Sequence, residues 1–293
     1  MPCSIVRAAG MALLGAAALA YAADPTYLKR SIANVSPQPD ELTNGAKGAS
    51  YRPLFGAGDP QARSLKSNAR YGELTVDAGG GSAMVSYAAE EQIYFILSGT
   101  GSVECDGADV PVKAYDFLYL PPGSLHGVVN NSAAPLRLLV MGFRIPKWAT
   151  VAPSAKLMIA NTADVPLQEL ASHGPTTKFK LLMGTTESKR DKLPAASQMA
   201  SLFLMDFAPG GTNIPHHHET EEEIYFLLHG SGEMVAGGGI DGNEGRYPTK
   251  QGDAWFLRLN TTVGFYSGAQ PGGEHDQILA VRSTFPFPPA RRP

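Results

Sequence analysis

The stretch EEQIYFILSGTGS, residues 90–102, decides how this chain folds, because it returns 131 residues later as EEEIYFLLHGSGE, residues 221–233. The two copies share paired glutamates, an Ile-Tyr-Phe centre and two glycines at the same spacing, which indicates a duplicated domain. One difference bears on chemistry, since Glu223 stands where the first copy has Gln92. The second copy therefore carries a carboxylate that the first copy lacks.

Length and composition fit two small all-β domains. A chain of 293 residues accommodates two domains of roughly 100 residues each with connecting segments. Its 32 glycines and 23 prolines beside only 17% charged residues favour short strands joined by turns. The net charge is -3 and the basic residues form no run longer than a pair, such as the one at 291–292, which argues against a nucleic-acid partner and favours a small-molecule ligand.

The first 22 residues are typical of a secretory signal peptide. An apolar segment, residues 8–22, follows Arg7 and ends in Ala-Tyr-Ala, so cleavage is expected after Ala22. The segment is short for a bilayer span of ~20 residues, although an uncleaved membrane anchor is the alternative. We expect a periplasmic or secreted protein without membrane attachment after cleavage.

Composition and pattern divide the rest of the chain. The predicted parts are an N-terminal arm at 23–48, a first barrel at 49–148, an inter-barrel linker at 149–195, a second barrel at 196–287 and a tail at 288–293. Because the arm is polar and lacks a strand or helix period, we expect it to lie across a barrel or a partner subunit. Edge strands of two such sheets also fit pairing into a homodimer.

A cluster of histidines precedes the second copy of the repeat. On an extended chain His216 and His218 share one face and His217 points away. If this segment and the next strand form a hairpin, Glu223 lies beside both imidazoles. Two imidazoles and a carboxylate suit one divalent transition metal (Fe, Mn, Ni or Zn) with open coordination positions. The alternative is an exposed polar turn with adventitious metal affinity, and the acidic neighbours are interpreted as a solvated turn: Glu219, Glu221 and Glu222.

These residues resemble the motifs of the cupin family. The first cupin motif is matched by Gly210, His216, His218, Glu223 and Gly230. The second motif is matched in the first half by Pro121, Gly123, His126 and Asn130, with Tyr115 in place of the usual glycine. The chain therefore resembles a bicupin over roughly residues 49–287, which implies two tandem double-stranded β-helix barrels of the jelly-roll kind.

Each half departs from the family pattern. Val85, Tyr87 and Gln92 occupy the positions of the first-motif ligands in the first half, so His126 is its one candidate ligand and we expect that barrel to be metal-free. His126 is then interpreted as a buried histidine with a hydrogen-bonded partner. In the second half, Val263 replaces the second-motif histidine.

Two interpretations of the second site follow from Val263. The site has three protein ligands, which we favour, or it is completed by another residue such as His275 or Gln277. Strand alternation aims four residues at the metal: Tyr225, Leu227, Val263 and Phe265. Tyr225 is the candidate acid, base or orienting group, although its counterpart Tyr94 in the first copy favours a packing role. Tyr266 and Arg258 are weaker candidates.

The resemblance implies two functions. One is a metal-dependent enzyme on a small chelating substrate, of the dioxygenase type or a metal-assisted hydrolase or decarboxylase. The alternative is a non-catalytic bicupin that binds a sugar or another small molecule. A metal-free first barrel before a metallated second one also resembles (S)-ureidoglycine aminohydrolase in architecture, but that family's ligand motif differs in order and its fourth ligand has no equivalent at Val263. The fold does not select among these reactions.

Overall fold

The computed structural model describes residues 26–239, 243–269 and 273–288. The predicted all-β fold with two tandem jelly-roll barrels is confirmed, since helix within these ranges is limited to short 3-10 turns: Ile32–Asn34, Glu41–Thr43, Ala62–Ser64, Thr162–Asp164 and Ala171–His173. Within the same ranges, no helix has the length and apolar character that a membrane span requires. The predicted signal peptide and residues 289–293 of the tail lie outside the described residues.

Ten strands make up the first half with its flanking segments. In chain order they are β1 Tyr27–Ser31, β2 Lys47–Gly56, β3 Asn68–Gly81, β4 Glu90–Ser98, β5 Thr100–Cys105, β6 Ala108–Lys113, β7 Asp116–Leu120, β8 His126–Val129, β9 Leu136–Arg144 and β10 Met158–Asn161. Neighbours pair in the order β7-β4-β9-β3-β2, and β8-β5-β6 continues from the end of β3. Side chains from both groups of strands share one core, which closes barrel one.

Barrel two repeats this plan. Its strands are β11 Gln168–Glu169, β12 Thr177–Thr185, β13 Leu193–Ala196, β14 Met199–Phe207, β15 Glu221–His229, β16 Ser231–Gly237, β17 Glu244–Lys250, β18 Asp253–Leu257, β19 Thr262–Ser267 and β20 Asp276–Thr284. The order β18-β15-β20-β14-β12 matches that of barrel one, and β17-β16-β19 forms the second sheet. The repeated stretches are the equivalent strands β4 and β15.

The repeated strand is apolar on both sides because both of its faces are buried. Tyr94 lies in the core of barrel one, whereas Ile93 and Phe95 point to a cluster shared by the two barrels. In barrel two, Tyr225 likewise lies in the barrel's own core, and Ile224 points to the shared cluster. A fully buried Ile or Phe side chain contributes about 1.5–3 kcal/mol, so the shared cluster stabilises the contact between the barrels.

The repeated glycine after this strand meets a steric requirement. Gly99 and Gly230 adopt φ of 88° and 86°, which favours glycine. A Cβ atom at Gly99 would also lie 2.5 Å from the carbonyl oxygen of Pro135. The chain can therefore turn directly from β4 into β5.

The arm and the linker exchange strands between the barrels. β1, from the arm, pairs with β18 of barrel two, and β10 pairs with β7 of barrel one. The interval 149–195, predicted to link the barrels, contains strands β10 to β13, and β12 pairs with β14 of barrel two. Sequence analysis missed β10 and β11 because they are short, only partly buried edge strands without clear alternation.

Two equivalent carboxylates hold the barrels together. Glu91 of β4 accepts hydrogen bonds from the backbone N–H groups that open β14, at 2.6–2.8 Å. Glu222 of β15 accepts from the backbone of Lys66 and Ser67 before β3. The expectation that Glu222 belongs to a solvated turn is wrong, since its residue is 1% exposed and its partners are about 155 positions away in the sequence.

Candidate metal centre in barrel two

The histidine segment reaches its position by a different route from the expected hairpin. Residues 208–220 form the connection from β14 to β15, and His216 makes a single antiparallel bridge to Val263 of β19. β15 pairs instead with β18 and β20, which places Glu223 at its start and beside the imidazoles. The hairpin expectation is therefore wrong, although the three residues do come together.

The candidate ligand atoms of His216, His218 and Glu223 all lie within 4.8 Å of one another. The imidazole rings of His216 and His218 are 4.9 Å apart, and His218 Nε2 is 3.3 Å from Glu223 Oε2. His217 has a side chain that is 57% exposed and is not part of the group. The three residues thus form one face of a coordination sphere.

The hydrogen bonds around the triad leave its lone pairs available. His216 Nδ1 lies 2.9 Å from the carbonyl oxygen of Ile214, so that nitrogen carries the hydrogen and Nε2 keeps a lone pair. His218 Nε2 and Glu223 Oε2 are buried without a hydrogen-bond partner. Burial lowers the pKa of His216, which favours the neutral form that binds metals. Buried lone pairs that converge in this way fit a divalent transition metal.

The triad lines a cavity of about 180 Å³. With a water-sized share of roughly 30 Å³ per molecule, this space suits a small organic molecule. Polar and aromatic or aliphatic side chains share the lining: Leu170, His173, Phe179, Leu181, Arg190, Phe203, His216, His218, Glu223, Tyr225 and Arg282. Three other residues expected to face the metal lie in the core of barrel two and do not line this cavity: Leu227, Val263 and Phe265.

Tyr225 is placed at the cavity with its hydroxyl oriented. Its oxygen is 3.1 Å from Asn213 Nδ2, which donates to it, so the phenol hydrogen remains available to another acceptor. Burial, and next the charge of Glu223, raise the pKa of Tyr225 well above its ordinary value. Tyr225 is therefore a neutral donor next to the triad, and its role in a reaction stays a prediction.

His173 is a site residue that sequence analysis missed. It belongs to the short turn before β12, and its ring lies 5.1 Å from that of His216. His173 Nδ1 is 3.0 Å from the carbonyl oxygen of Asn213, so its Nε2 is the nitrogen with the lone pair. No motif marks His173, and it lies in the interval 149–195 predicted to be the linker.

The residues proposed to complete the site lie elsewhere. His275 Nδ1 and Gln277 Nε2 both contact the carboxylate of Asp206, and neither lines the cavity. Tyr266 stacks against Arg246 with the guanidinium carbon 3.8 Å from the ring centroid. Among the described residues, the metal-ligand group therefore stops at three members.

Two of the neighbouring glutamates differ in surroundings. Glu219 has a side chain that is 80% exposed, in agreement with a solvated turn. Glu221 is not part of such a turn, since it lies on β15, with Oε2 3.1 Å from Arg282 Nη1 and 3.9 Å from His218 Nδ1. It can orient both side chains toward the cavity.

The equivalent position in barrel one lacks the triad. His126 bridges Val85 as Val263 bridges His216, which establishes the equivalence of the two motif positions. His126 is buried, its Nδ1 lies 3.0 Å from the carbonyl oxygen of Ser124, and its ring packs against Tyr87 and Tyr94. These contacts agree with its interpretation as a buried, hydrogen-bonded histidine.

Comparisons with known proteins agree with this architecture. A family model described as a cupin domain matches residues 72–142, within barrel one. An uncharacterized protein of Methanocaldococcus jannaschii is 31% identical over 71 residues, which are 24% of this chain and 57% of the relative. The chain thus matches little more than half the length of that relative.

Solved structures match nearly the whole chain. The protein Ylba from E. coli has a TM-score of 0.66 at 18% identity, over 91% of this chain and 94% of that one. A putative glyoxylate induced protein from Pseudomonas aeruginosa has a TM-score of 0.69 at 15% identity, over 90% and 91%. Oxalate decarboxylase from Lactobacillus farciminis, in a formate complex, has a TM-score of 0.63 at 13% identity, over 89% and 87%. At these identities the likeness shows the fold of both barrels together.

Proposed function

Because this chain is a bicupin of the cupin superfamily, we propose that it is a metal-dependent enzyme acting on a small chelating organic substrate in barrel two. The observation that carries the proposal is the set of converging lone pairs of His216, His218 and Glu223 at the wall of a small cavity. Structural metal sites are usually closed by four protein ligands, whereas three protein ligands leave positions for water and substrate.

Five residues of the cavity have definable tasks in this proposal. The triad holds one Fe, Mn, Ni or Zn ion, which would supply Lewis-acid activation or activation of O2 beside the substrate. Tyr225 donates its hydroxyl hydrogen to a substrate oxygen, and His173 Nε2 accepts a hydrogen bond. The aromatic walls restrict access of bulk water to the reacting atoms.

Three reaction types are compatible with this arrangement: dioxygenation, hydrolysis and decarboxylation. In each of them, chelation of the ion through oxygen would place the substrate at the metal. The oxalate decarboxylase among the structural relatives makes small carboxylic acids sensible members of a first substrate panel.

The test is turnover of such a panel by metal-loaded protein, followed by O2 consumption and by mass spectrometry of products. The double variant His216→Ala/His218→Ala should lose turnover. His217→Ala removes an imidazole from the same segment and should retain it, because His217 is exposed and outside the triad. Tight binding of a small molecule that a chelator leaves unchanged, without turnover, would instead establish a non-catalytic binding bicupin.

A further inference from the structure

The two barrels differ at a second position beside the ligand triad. In barrel one, Gln92 pairs with Gly142 of β9, and in barrel two the equivalent Glu223 pairs with Arg282 of β20. Paired residues on neighbouring antiparallel strands point to the same face. Barrel two therefore carries an arginine beside its ligand carboxylate, where barrel one has no side chain.

Barrel one fills the same space with an arginine from another strand. A Cβ atom at Gly142 would lie 2.8 Å from Cγ of Arg70, which belongs to β3. Arg70 is covered and neutralised by Asp40, Glu41 and Glu90, at 3.4–3.7 Å. Its guanidinium group also packs on a tyrosine ring. Both barrels thus hold a guanidinium group beside the position of Gln92 or Glu223. In barrel one this group is paired with the chain's own carboxylates.

In barrel two the arginine keeps a free donor. Arg282 Nη1 is braced by Glu221 Oε2 at 3.1 Å, and its guanidinium carbon lies 5.5 Å from the centroid of the Phe203 ring. Arg282 Nε is buried without a hydrogen-bond partner. Among the ion pairs of the described residues, none joins Arg282 to Glu223, although the two residues are paired in register. Arg282 thus lines the same cavity as the triad and has one N–H group without a partner.

One arginine of the cavity wall has a donor left for an anion. Among the described residues, Arg282, Arg190 and one carboxylate, Glu223, line the cavity. Arg190 is paired with Asp191 at 3.5 Å, whereas Nε of Arg282 has no partner. A bound divalent cation would add to this positive charge. A carboxylate is small and planar, and it can share its two oxygens between a metal and a guanidinium.

We infer that Arg282 binds the carboxylate group of the substrate, so that the substrate class is a small organic acid bridging the ion and the guanidinium. This inference rests on the proposed metal centre and adds the chemical class of the substrate. Arg282 would act as a binding and orienting group, with Glu221 holding it in place.

The experiment compares glycolate with its uncharged amide, glycolamide, by calorimetric titration of the Mn²⁺-loaded protein. The parent should bind glycolate more tightly, and Arg282→Met should weaken glycolate binding about 10-fold or more, because the variant loses a charge-assisted hydrogen bond. Arg282→Lys keeps the charge without the planar fork and should give an intermediate affinity. Arg246→Gln, at an exposed arginine paired with Glu233, is the matched control and should bind like the parent.

Metal content, measured on every variant, separates the two claims. If all variants hold Mn²⁺ and Arg282→Met binds glycolate as tightly as the parent, or the parent does not prefer glycolate to glycolamide, the inference about Arg282 is overturned and the metal centre stands. If the parent itself takes up no divalent metal, the metal centre fails and the inference fails with it.

Discussion

Glu91 allows a sharp test of how the two barrels are joined. Its residue is 0% exposed, with Oε2 2.7 Å from the backbone nitrogen of Ser197 and Oε1 2.8 and 2.6 Å from those of Gln198 and Met199. In Glu91→Gln one oxygen can still accept two of these bonds, but the new amide N–H₂ would face the third N–H donor. One buried donor without a partner costs about 1–3 kcal/mol.

Glu91→Leu should be more destructive, because it removes the acceptor for all three N–H groups. We expect a loss of about 3–5 kcal/mol in the free energy of unfolding. Burial raises the pKa of Glu91, because desolvation of the carboxylate offsets part of the stabilisation from its hydrogen bonds. The expected loss is therefore smaller than the sum for three separate hydrogen bonds. The equivalent substitution Glu222→Leu should cost a similar amount.

The assay is urea unfolding followed by circular dichroism and by tryptophan fluorescence, whose transitions must coincide for a single free energy to be read. The matched control is Glu219→Gln, which removes the same charge from an exposed side chain and should change the free energy of unfolding by less than about 0.5 kcal/mol. A Glu91→Leu protein as stable as this control would refute the reasoning.

Four further predictions concern the metal site, two buried side chains and the processing of the chain. Asn213→Ala should lower the free energy of unfolding by about 1–3 kcal/mol, because Asn213 Oδ1 accepts from the buried N–H of Phe265; an unchanged thermal midpoint would contradict this. Since burial holds the pKa of His216 below its usual value, metal affinity should be constant above pH ~6.5 and fall at lower pH; equal metal content at pH 5 and 8 would argue against histidine ligation. Burial likewise lowers the pKa of His126, so the unfolded chain binds its proton first and stability should fall as pH drops below ~6.5; this fall should be smaller in His126→Gln. Finally, exported protein should begin after Ala22, and an intact mass that includes residues 1–22 would count against the signal peptide.

The sequence predicts the fold because the repeat is local and strongly patterned. The apolar centres of β4 and β15, their closing glycines and the histidine spacing identify two barrels and a ligand triad without knowledge of any distant contact. The same patterns explain why the carboxylate at Glu223 is an amide at Gln92 in barrel one, where the two histidine positions are Val85 and Tyr87.

The remaining features depend on contacts between residues far apart in the chain. Glu222 resembles its exposed neighbour Glu219 in sequence, and only its backbone partners before β3 make it a buried clamp. His173 enters the cavity from a segment without a motif. The proposed role of Arg282 is visible only from the strand register, which shows that Arg282 in barrel two is equivalent to Gly142 in barrel one. Such features need the pairing of strands, which a single sequence does not provide.

The most direct measurement of the central claim is the metal content of the mature protein by elemental analysis, with competition titration against a chelator. We predict about one equivalent of Fe, Mn, Ni or Zn in the parent and in the control His217→Ala, and almost none in His216→Ala/His218→Ala. Folded parent protein that contains no metal and takes none up, or a double variant that binds metal as tightly as the parent, would contradict a metal centre formed by His216, His218 and Glu223.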